Sequence, residues 1–295
     1  MITYRSIDYE KHTDRENILR MYREIFHVEF EDQYRFWFES RHAGAPIGVA
    51  AVDEASGRMV GHFTTVRFRA IIDGVSQPFR MSMGFMTDPD YRGQGIATKL
   101  YQELKKYVTD TEDDTCFIIG FPNENSIHMH IARMEYEEFR RLHFVELPKM
   151  ENADTGHRFM PASDFSGASE DAGTGYNRMN HTEAFLDFRY ADSKYETFVS
   201  DSGNLYTCTR FRDKVDILYW SDYLNEEELL AFASFLHGWE GVNRVTTWNS
   251  LPYLDKYPRE DREYHMCINP LYCDDTQKKR ILSPWIFLMG DCELF

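Results

Sequence analysis

The residues with the clearest chemical promise lie in the run Met86-Thr87-Asp88-Pro89-Asp90-Tyr91-Arg92-Gly93-Gln94-Gly95-Ile96-Ala97-Thr98-Lys99-Leu100. An apolar stretch ends at Thr87, a proline turn follows, and two glycines one residue apart open a segment with amphipathic helical spacing. Glycine reaches backbone conformations closed to bulkier residues, so consecutive N–H groups can converge there on one point. A helix starting near Gln94 adds unpaired N–H groups and the positive end of its dipole, while Arg92 and Lys99 add local positive charge. The pattern is an anion nest suited to a diphosphate. It is neither a Walker loop nor a dinucleotide-binding glycine fingerprint, so ATP and dinucleotides are not the ligands it favours.

Other reactive side chains are sparse. His128 and His130 stand two apart in HMHIARMEYEEF with no further ligand spacing, which is too little for zinc, and no metal is expected. Cys116, Cys208, Cys267, Cys273 and Cys292 form an odd, scattered set with no CxxC pair, unlike a disulfide framework. His62, in VGHFTTVRF, is either a base or a histidine built into a sheet face.

The elements that must position these groups are legible from periodicity. Residues 10–26 space Ile18, Leu19, Tyr22 and Phe26 as a helix, with Thr13-Asp14 offered as its cap. From Ile47 to Thr87 three β-rich runs broken by EASGR and DGVSQ predict an antiparallel meander. Residues 94–108 align Ile96, Leu100, Leu104 and Tyr107/Val108 on one helical face, and Thr115 to Gly120 is an apolar run short enough for a buried strand. Glu151 to Thr182 is poor in branched aliphatics and rich in Gly, Ser, Asp and Asn, predicting a linker or long surface loop. LYTCTR, VDILYW, NEEELLAFASFLHG and VNRVTTW then repeat the strand, strand, helix, strand order of the first half, suggesting a degenerate duplication. The expected division is 1–150, a linker at 151–182, and 183–295.

Composition narrows the function. With 33 Lys and Arg against 49 Asp and Glu, the net charge of −16 opposes general binding to nucleic acid or to anionic membrane surfaces. No apolar run approaches a membrane span, and MITYRSIDYEKHTD lacks a signal-peptide pattern, so a soluble, cytoplasmic protein is expected. Aromatics make up 15% of the chain, and their crowding in FHVEFEDQYRFWF and HGWEGVNRVTTWNSLPYLDKY fits core packing, with substrate-stacking walls as the alternative.

The strand-DPDYRGQGIATKL-helix arrangement resembles the acyl-CoA-binding motif of the GNAT acyltransferase superfamily, over about residues 1–148. The resemblance implies an α/β fold: a mixed, mostly antiparallel sheet with flanking helices, followed by a degenerate GNAT-like C-terminal α/β domain. It implies a strand splayed from its neighbour, whose backbone at Phe85, Met86 and Thr87 bonds the pantetheine arm of the acyl donor. The amides of Arg92, Gly93, Gln94, Gly95, Ile96 and Ala97 would hold the coenzyme A pyrophosphate, with Thr98 close by. GFPNENS matches the start of the next family segment, placing Asn125 on the pantetheine. Where the family often carries a tyrosine that protonates the leaving thiolate, this chain has Ile131, and Glu135-Tyr136 replaces the usual Gly-aromatic pair. His130 or His128 could substitute, unless each is a solvated helix-face histidine. The strand Met81 to Met86 lacks the carboxylate that some members carry.

In the second half, FLDFRY and the terminal Gly290-Asp291 resemble elements of two-domain GNAT acyltransferases acting on nucleotide-linked amino sugars, with Phe188 where tryptophan is usual. Asn123, Arg189 and Tyr190 become candidates for acceptor binding, Arg189 either on a nucleotide-sugar phosphate or in a structural ion pair. The junction SDYLNEEEL is acidic and lacks a glycine loop, so no second coenzyme A is expected. The implied activity is acyl transfer from acyl-CoA, in a ternary complex, to a primary amine on a nucleotide-linked deoxyamino sugar. Alternatives are another small amine (amino acid, polyamine or aminoglycoside) or a silent acyl-CoA-binding protein. Acyl chain and oligomeric state stay open.

Overall fold

The computed structural model describes residues 1–40, 44–112, 114–150, 156–166, 175–271 and 273–292. In chain order the first half runs β1 (Ile2–Ser6), α1 (His12–Phe26), α2 (Glu31–Tyr34), β2 (Ile47–Asp53), β3 (Arg58–Ile72), β4 (Val75–Thr87), α3 (Ile96–Thr111), β5 (Phe117–Gly120), α4 (Ile127–Arg133) and β6 (Glu137–Glu146). The second half continues with β7 (Phe159–Pro161), β8 (Asn177–Met179), α5 (Glu183–Arg189), β9 (Tyr195–Ser200), β10 (Leu205–Phe211), β11 (Lys214–Trp220), α6 (Glu226–His237), β12 (Arg244–Trp248), β13 (Arg259–Pro270), α7 (Asp275–Ile281) and β14 (Trp285–Ile286).

Two compact units interleave along the chain: Met1–Ala70 with Gln77–Arg140 and His265–Leu282, and Ile71–Ser76 with Arg141–Tyr264 and Ser283–Phe295. The expected contiguous division differs from this, because Cys267 to Pro270 of β13 pair antiparallel with Gly120 to Phe117 of β5 and so complete the first unit's sheet. Sequence order cannot reveal a strand contributed from 147 to 153 positions downstream. The segment expected as a linker is also partly built into sheet: Phe159 to Pro161 pair with β9, and β8 pairs with β14. The remainder of that expectation, at 151–155 and 167–174, lies outside the described residues.

In the first unit the strands follow the order β1-β2-β3-β4-β5-β13. β1 went unseen in the sequence because ITYRS is only half-buried and carries no strong alternation; it pairs antiparallel with β2. α3 buries Ile96, Leu100, Tyr101, Leu104 and Val108 against Val49, Val60, Phe63 and Ile118. Gly61 permits this approach, since a Cβ there would stand 2.9 Å from Leu100 and 3.0 Å from Ile96. α1 begins at Lys11 without a side-chain cap. Asp14, expected to help cap it, is buried and accepts from Arg5 at 2.7 and 2.5 Å and from the Asp8 N–H. Most of the aromatics beyond α1 are core: Tyr34, Trp37 and Phe38 are buried, and Phe30 stacks on Tyr22 at 3.6 Å.

The second unit places β12 between β6 and β11, followed by β10, β9 and β7. β11, α6 and β12 form a parallel crossover, as β4, α3 and β5 do in the first unit. The repeated order read from the sequence is thus matched in connectivity. The helix starts differ: α6 is capped by Asn225, whose side chain accepts from Glu228, and its first turn holds Glu226, Glu227 and Glu228. Such a terminus is already satisfied and repels anions.

Candidate active site

β4 and β5 run parallel and pair only at Arg80 with Ile118 and Met81 with Ile119. β4 continues six residues further, to Thr87, without β5 beside it. The two strands therefore form a fork whose crotch lies at Ser82 and Gly120 and whose mouth faces the glycine loop.

Two features hold this shape. Below the crotch, Arg80 is 1% exposed and ties β4 to β3, to Ala45 and to the end of α3 with all its donors. Its Nε and Nη2 grip Glu112 at 2.9 and 2.7 Å, and Nη1 and Nη2 reach the carbonyls of Thr65 and Ala45 at 3.0 and 3.2 Å. Burial alone would raise the Glu112 pKa; the hydrogen bonds from Arg80 and Thr115 outweigh it and hold the carboxyl at about 2. Above the crotch, Gly84 takes φ +57 and its carbonyl turns to the His62 ring at 2.6 Å. A Cβ at Gly84 would overlap the Tyr22 hydroxyl, so glycine is required for space as well as conformation.

Backbone polarity assigns the free groups of β4. The N–H of Asp88 bonds the Val60 carbonyl at 2.9 Å, toward β3. Alternation along the strand turns Met86 the same way and directs Phe85 and Thr87 into the fork. The Thr87 carbonyl accepts from Arg92 Nε at 3.3 Å, on that free side. Of the three residues expected to meet the pantetheine, Phe85 and Thr87 thus offer backbone groups, whereas those of Met86 face β3.

At the mouth, Asp88 accepts the Asp90 N–H at 3.0 Å and pairs with Arg58 at 3.0 Å, fixing the turn. Gly93 and Gly95 have φ of +77 and +76, as the nest reading required, and a Cβ on either would meet nothing within 4 Å. The loop is strained for other residues yet open in front, which is the geometry of a cradle. Gly95 begins α3 with no side-chain cap, and the first helical bond runs from Lys99 to Gly95. The N–H groups of Ile96, Ala97 and Thr98 therefore point forward as donors. Lys99 contributes less charge than its type suggested, being paired with Glu103 at 2.9 Å.

α4 closes one side. Asn123 holds the turn ahead of it: its Oδ1 accepts from the N–H groups of Asn125 and Ser126, each at 3.1 Å, so half of the expected acceptor-binding amide is spent on the turn. Asn125 is exposed in the same turn. His128 faces solvent, but His130 is 3% exposed and packs edge-on to Phe85 and Tyr136 at 5.4 and 5.1 Å. Its Nδ1–H donates to the Ser126 carbonyl at 2.9 Å, leaving Nε2 with the lone pair, and burial lowers its pKa. In this tautomer Nε2 is an acceptor, and burial disfavours the charged ring that would act as the thiolate acid expected of His130. His62 is fully buried between Gly84 and Thr64 (2.7 Å), and burial lowers its pKa to about 4. Glu135 has φ +58, a conformation that favours glycine, which explains why the sequence match falters there. Lys105 pairs with its carboxylate, which also accepts from Tyr101 at 3.2 Å.

Arg189 and Tyr190 belong to the second unit's core. Arg189 is 2% exposed and donates to the carbonyls of Gly290 and Cys292 at 2.8 and 3.3 Å and to Tyr195 at 3.0 Å. Tyr190 is buried, and a Cβ on Gly290 would overlap its hydroxyl. Among the described residues the arginine is thus spent on two carbonyls and a tyrosine hydroxyl and pins the segment bearing the Gly-Asp element. Beside it, buried His181 bridges Tyr223 and Asp291 at 2.8 and 2.5 Å. Among the described residues no group of three or more His, Cys, Asp or Glu could hold a metal, and no helix is long and apolar enough to cross a membrane.

A parallel-strand fork with an uncapped, glycine-headed helix at its mouth offers free backbone groups along a strand and an anion site at its end. The family model described as acetyltransferase (GNAT) family matches residues 12–136. That match lies on the segment that carries the fork and the glycine loop. The fold of the chain is similar to a GCN5-related N-acetyltransferase from Kribbella flavida (14% identity, 92% of this chain and 72% of that one, TM-score 0.67). A GCN5-related N-acetyltransferase from Anabaena variabilis is also similar (13% identity, 92% and 73%, TM-score 0.66). So is Saccharomyces cerevisiae N-myristoyltransferase with bound myristoyl-CoA (10% identity, 98% and 89%, TM-score 0.61). No curated protein matches the sequence closely.

Proposed function

We propose that the protein transfers an acyl group from acyl-CoA to the primary amine of a small cationic molecule, with donor and acceptor bound together. The observation that carries the donor half is the parting of β4 from β5 beyond Met81 and Ile119 in front of an uncapped α3. The loop amides of Arg92 to Ala97 and the start of α3 at Thr98 would hold the pyrophosphate, with Phe85 and Thr87 lending backbone groups to the pantetheine and Asn125 beside it. The neutral amine attacks the thioester carbonyl; the C–N bond forms, the C–S bond breaks, and the amine proton leaves as the thiolate is protonated. Placing amine and thioester together supplies much of the rate. His130, whose Nε2 keeps its lone pair and whose ring packs beside Phe85, suits removal of the amine proton.

For the acceptor, a net charge of −16 draws cations. The nucleotide-linked amino sugar suggested by the FLDFRY and Gly-Asp elements loses support, since Arg189 spends its donors on Gly290, Cys292 and Tyr195. The deciding experiment follows thiol release from acetyl-CoA across polyamines, aminoglycosides, amino acids and nucleotide-linked amino sugars. Turnover of a di- or polyamine supports the proposal. Exclusive turnover of a sugar nucleotide overturns the acceptor class, and donor binding without turnover of any amine returns the chain to a silent acyl-CoA-binding role.

A further inference from the structure

His62 is a buried titratable group that the acyl transfer described above leaves unused, and the chain of partners behind it has a fixed direction. The Gly84 carbonyl can only accept, so His62 Nδ1 carries the proton and donates it at 2.6 Å. Burial lowers the His62 pKa to about 4, so the ring is neutral at pH 7 and Nε2 keeps a lone pair. Thr64 Oγ1 lies 2.7 Å from Nε2 and must spend its one proton there. Tyr9 Oη, 2.5 Å from Thr64 Oγ1, is then the donor of the last bond. Burial pushes that phenol well above its ordinary range, so it stays protonated. Tyr9, Thr64 and His62 thus form one relay that ends on the Gly84 carbonyl, each bond polarising the next. The base role that the sequence left open to His62 is closed, because both ring nitrogens are engaged within the protein.

The surrounding residues are shaped to this relay. Tyr22 and Phe38 set their rings edge-on to the imidazole at 6.5 and 6.4 Å and keep water from it. Glycine stands at both ends: a Cβ on Gly48 of β2 would overlap the Tyr9 hydroxyl, and one on Gly84 would stand 2.9 Å from His62 Cε1. Tyr34 anchors the far end by donating to the Tyr9 carbonyl at 3.1 Å. The near end meets β4 at Gly84, where the strand takes φ +57 beside the fork.

The peptide after Gly84 is trans, so the Phe85 N–H opposes the Gly84 carbonyl. With that carbonyl drawn to His62, the Phe85 N–H is turned away from His62, toward the fork. On the donor reading above, we propose that His62 is a positioning residue for the acyl donor: the relay from Tyr9 through Thr64 fixes the Gly84–Phe85 peptide and so aims the Phe85 N–H at the pantetheine arm.

The test separates the arm from the pyrophosphate. Calorimetry compares coenzyme A with ADP, which carries the pyrophosphate without the arm, in the wild type, His62→Phe, Thr64→Val and Thr64→Ser. His62→Phe keeps a ring without a donor and should weaken coenzyme A about tenfold with ADP affinity unchanged. Thr64→Val keeps the shape of threonine but leaves Nε2 without its donor, freeing the ring for the tautomer whose Nδ1 lone pair repels the Gly84 carbonyl. It should weaken coenzyme A about fivefold with ADP unchanged, and it carries the test if His62→Phe does not fold. Thr64→Ser retains the hydroxyl and should bind both ligands as the wild type does. An unchanged ratio of the two affinities in folded Thr64→Val overturns the positioning role, as does an equal change of that ratio in Thr64→Ser. A wild type that binds neither coenzyme A nor ADP overturns the donor reading beneath it.

Discussion

Replacing Glu112 by glutamine tests whether the Arg80 clamp sets the fork. The substitution preserves shape and removes only the negative charge beneath a guanidinium that is 1% exposed. The carboxyl titrates at about 2 in place of its ordinary 4.5. At about 1.4 kcal/mol per pH unit, that difference gives about 3 kcal/mol of stability at pH 7. Because the folded pKa is the lower one, the contribution is complete above pH 4.5 and fades as pH falls toward 2. From the two pKa values the gap between wild type and Glu112→Gln should be about 3 kcal/mol at pH 7, about 2.5 at pH 4 and about 1.4 at pH 3. Leaving Arg80 buried with only neutral partners adds to the first figure. Urea unfolding of both proteins across this range measures the gap, and coenzyme A titration at pH 7 reports on the fork. A gap under about 1 kcal/mol at pH 7, or one that does not narrow in acid, refutes the reasoning.

Three further outcomes follow from the same geometry. Gly95→Val forces a β-branched residue to φ +76 and fills the open side of the nest, so coenzyme A affinity should fall at least thirtyfold, about 2 kcal/mol, with a folded protein by circular dichroism; unchanged affinity by calorimetry would remove the nest from the donor site. His130→Asn keeps a donor for the Ser126 carbonyl and removes Nε2, so kcat should drop about a hundredfold with KM for acyl-CoA held. In the wild type, the acid limb of kcat should lie below the ordinary imidazole range, because burial lowers the His130 pKa; a limb above it would assign the proton transfer elsewhere. Arg189→Lys loses donors that Gly290, Cys292 and Tyr195 require and should cost about 2 kcal/mol of stability without changing coenzyme A affinity; a selective loss of acceptor binding in a fully stable variant would restore Arg189 to the substrate.

Local chemistry made the donor half of this protein readable. Gly93 and Gly95 announce their left-handed backbone by residue type, and Ile96, Leu100 and Leu104 place a helix behind them, because both depend on interactions within a few residues. The meander, α3, β5 and the strand, strand, helix, strand order of the second half were legible for the same reason. Tertiary structure decided the rest. That β13 would return to pair with β5, that Arg80 would grip Glu112 beneath the fork and that Arg189 would face carbonyls depend on partners 32 to 153 positions distant, and no local pattern encodes them. His130 shows the limit most clearly. Its sequence context allowed a solvated helix face, but packing against Phe85 and Tyr136 removed it from water, and desolvation, which only the assembled core imposes, lowers its pKa.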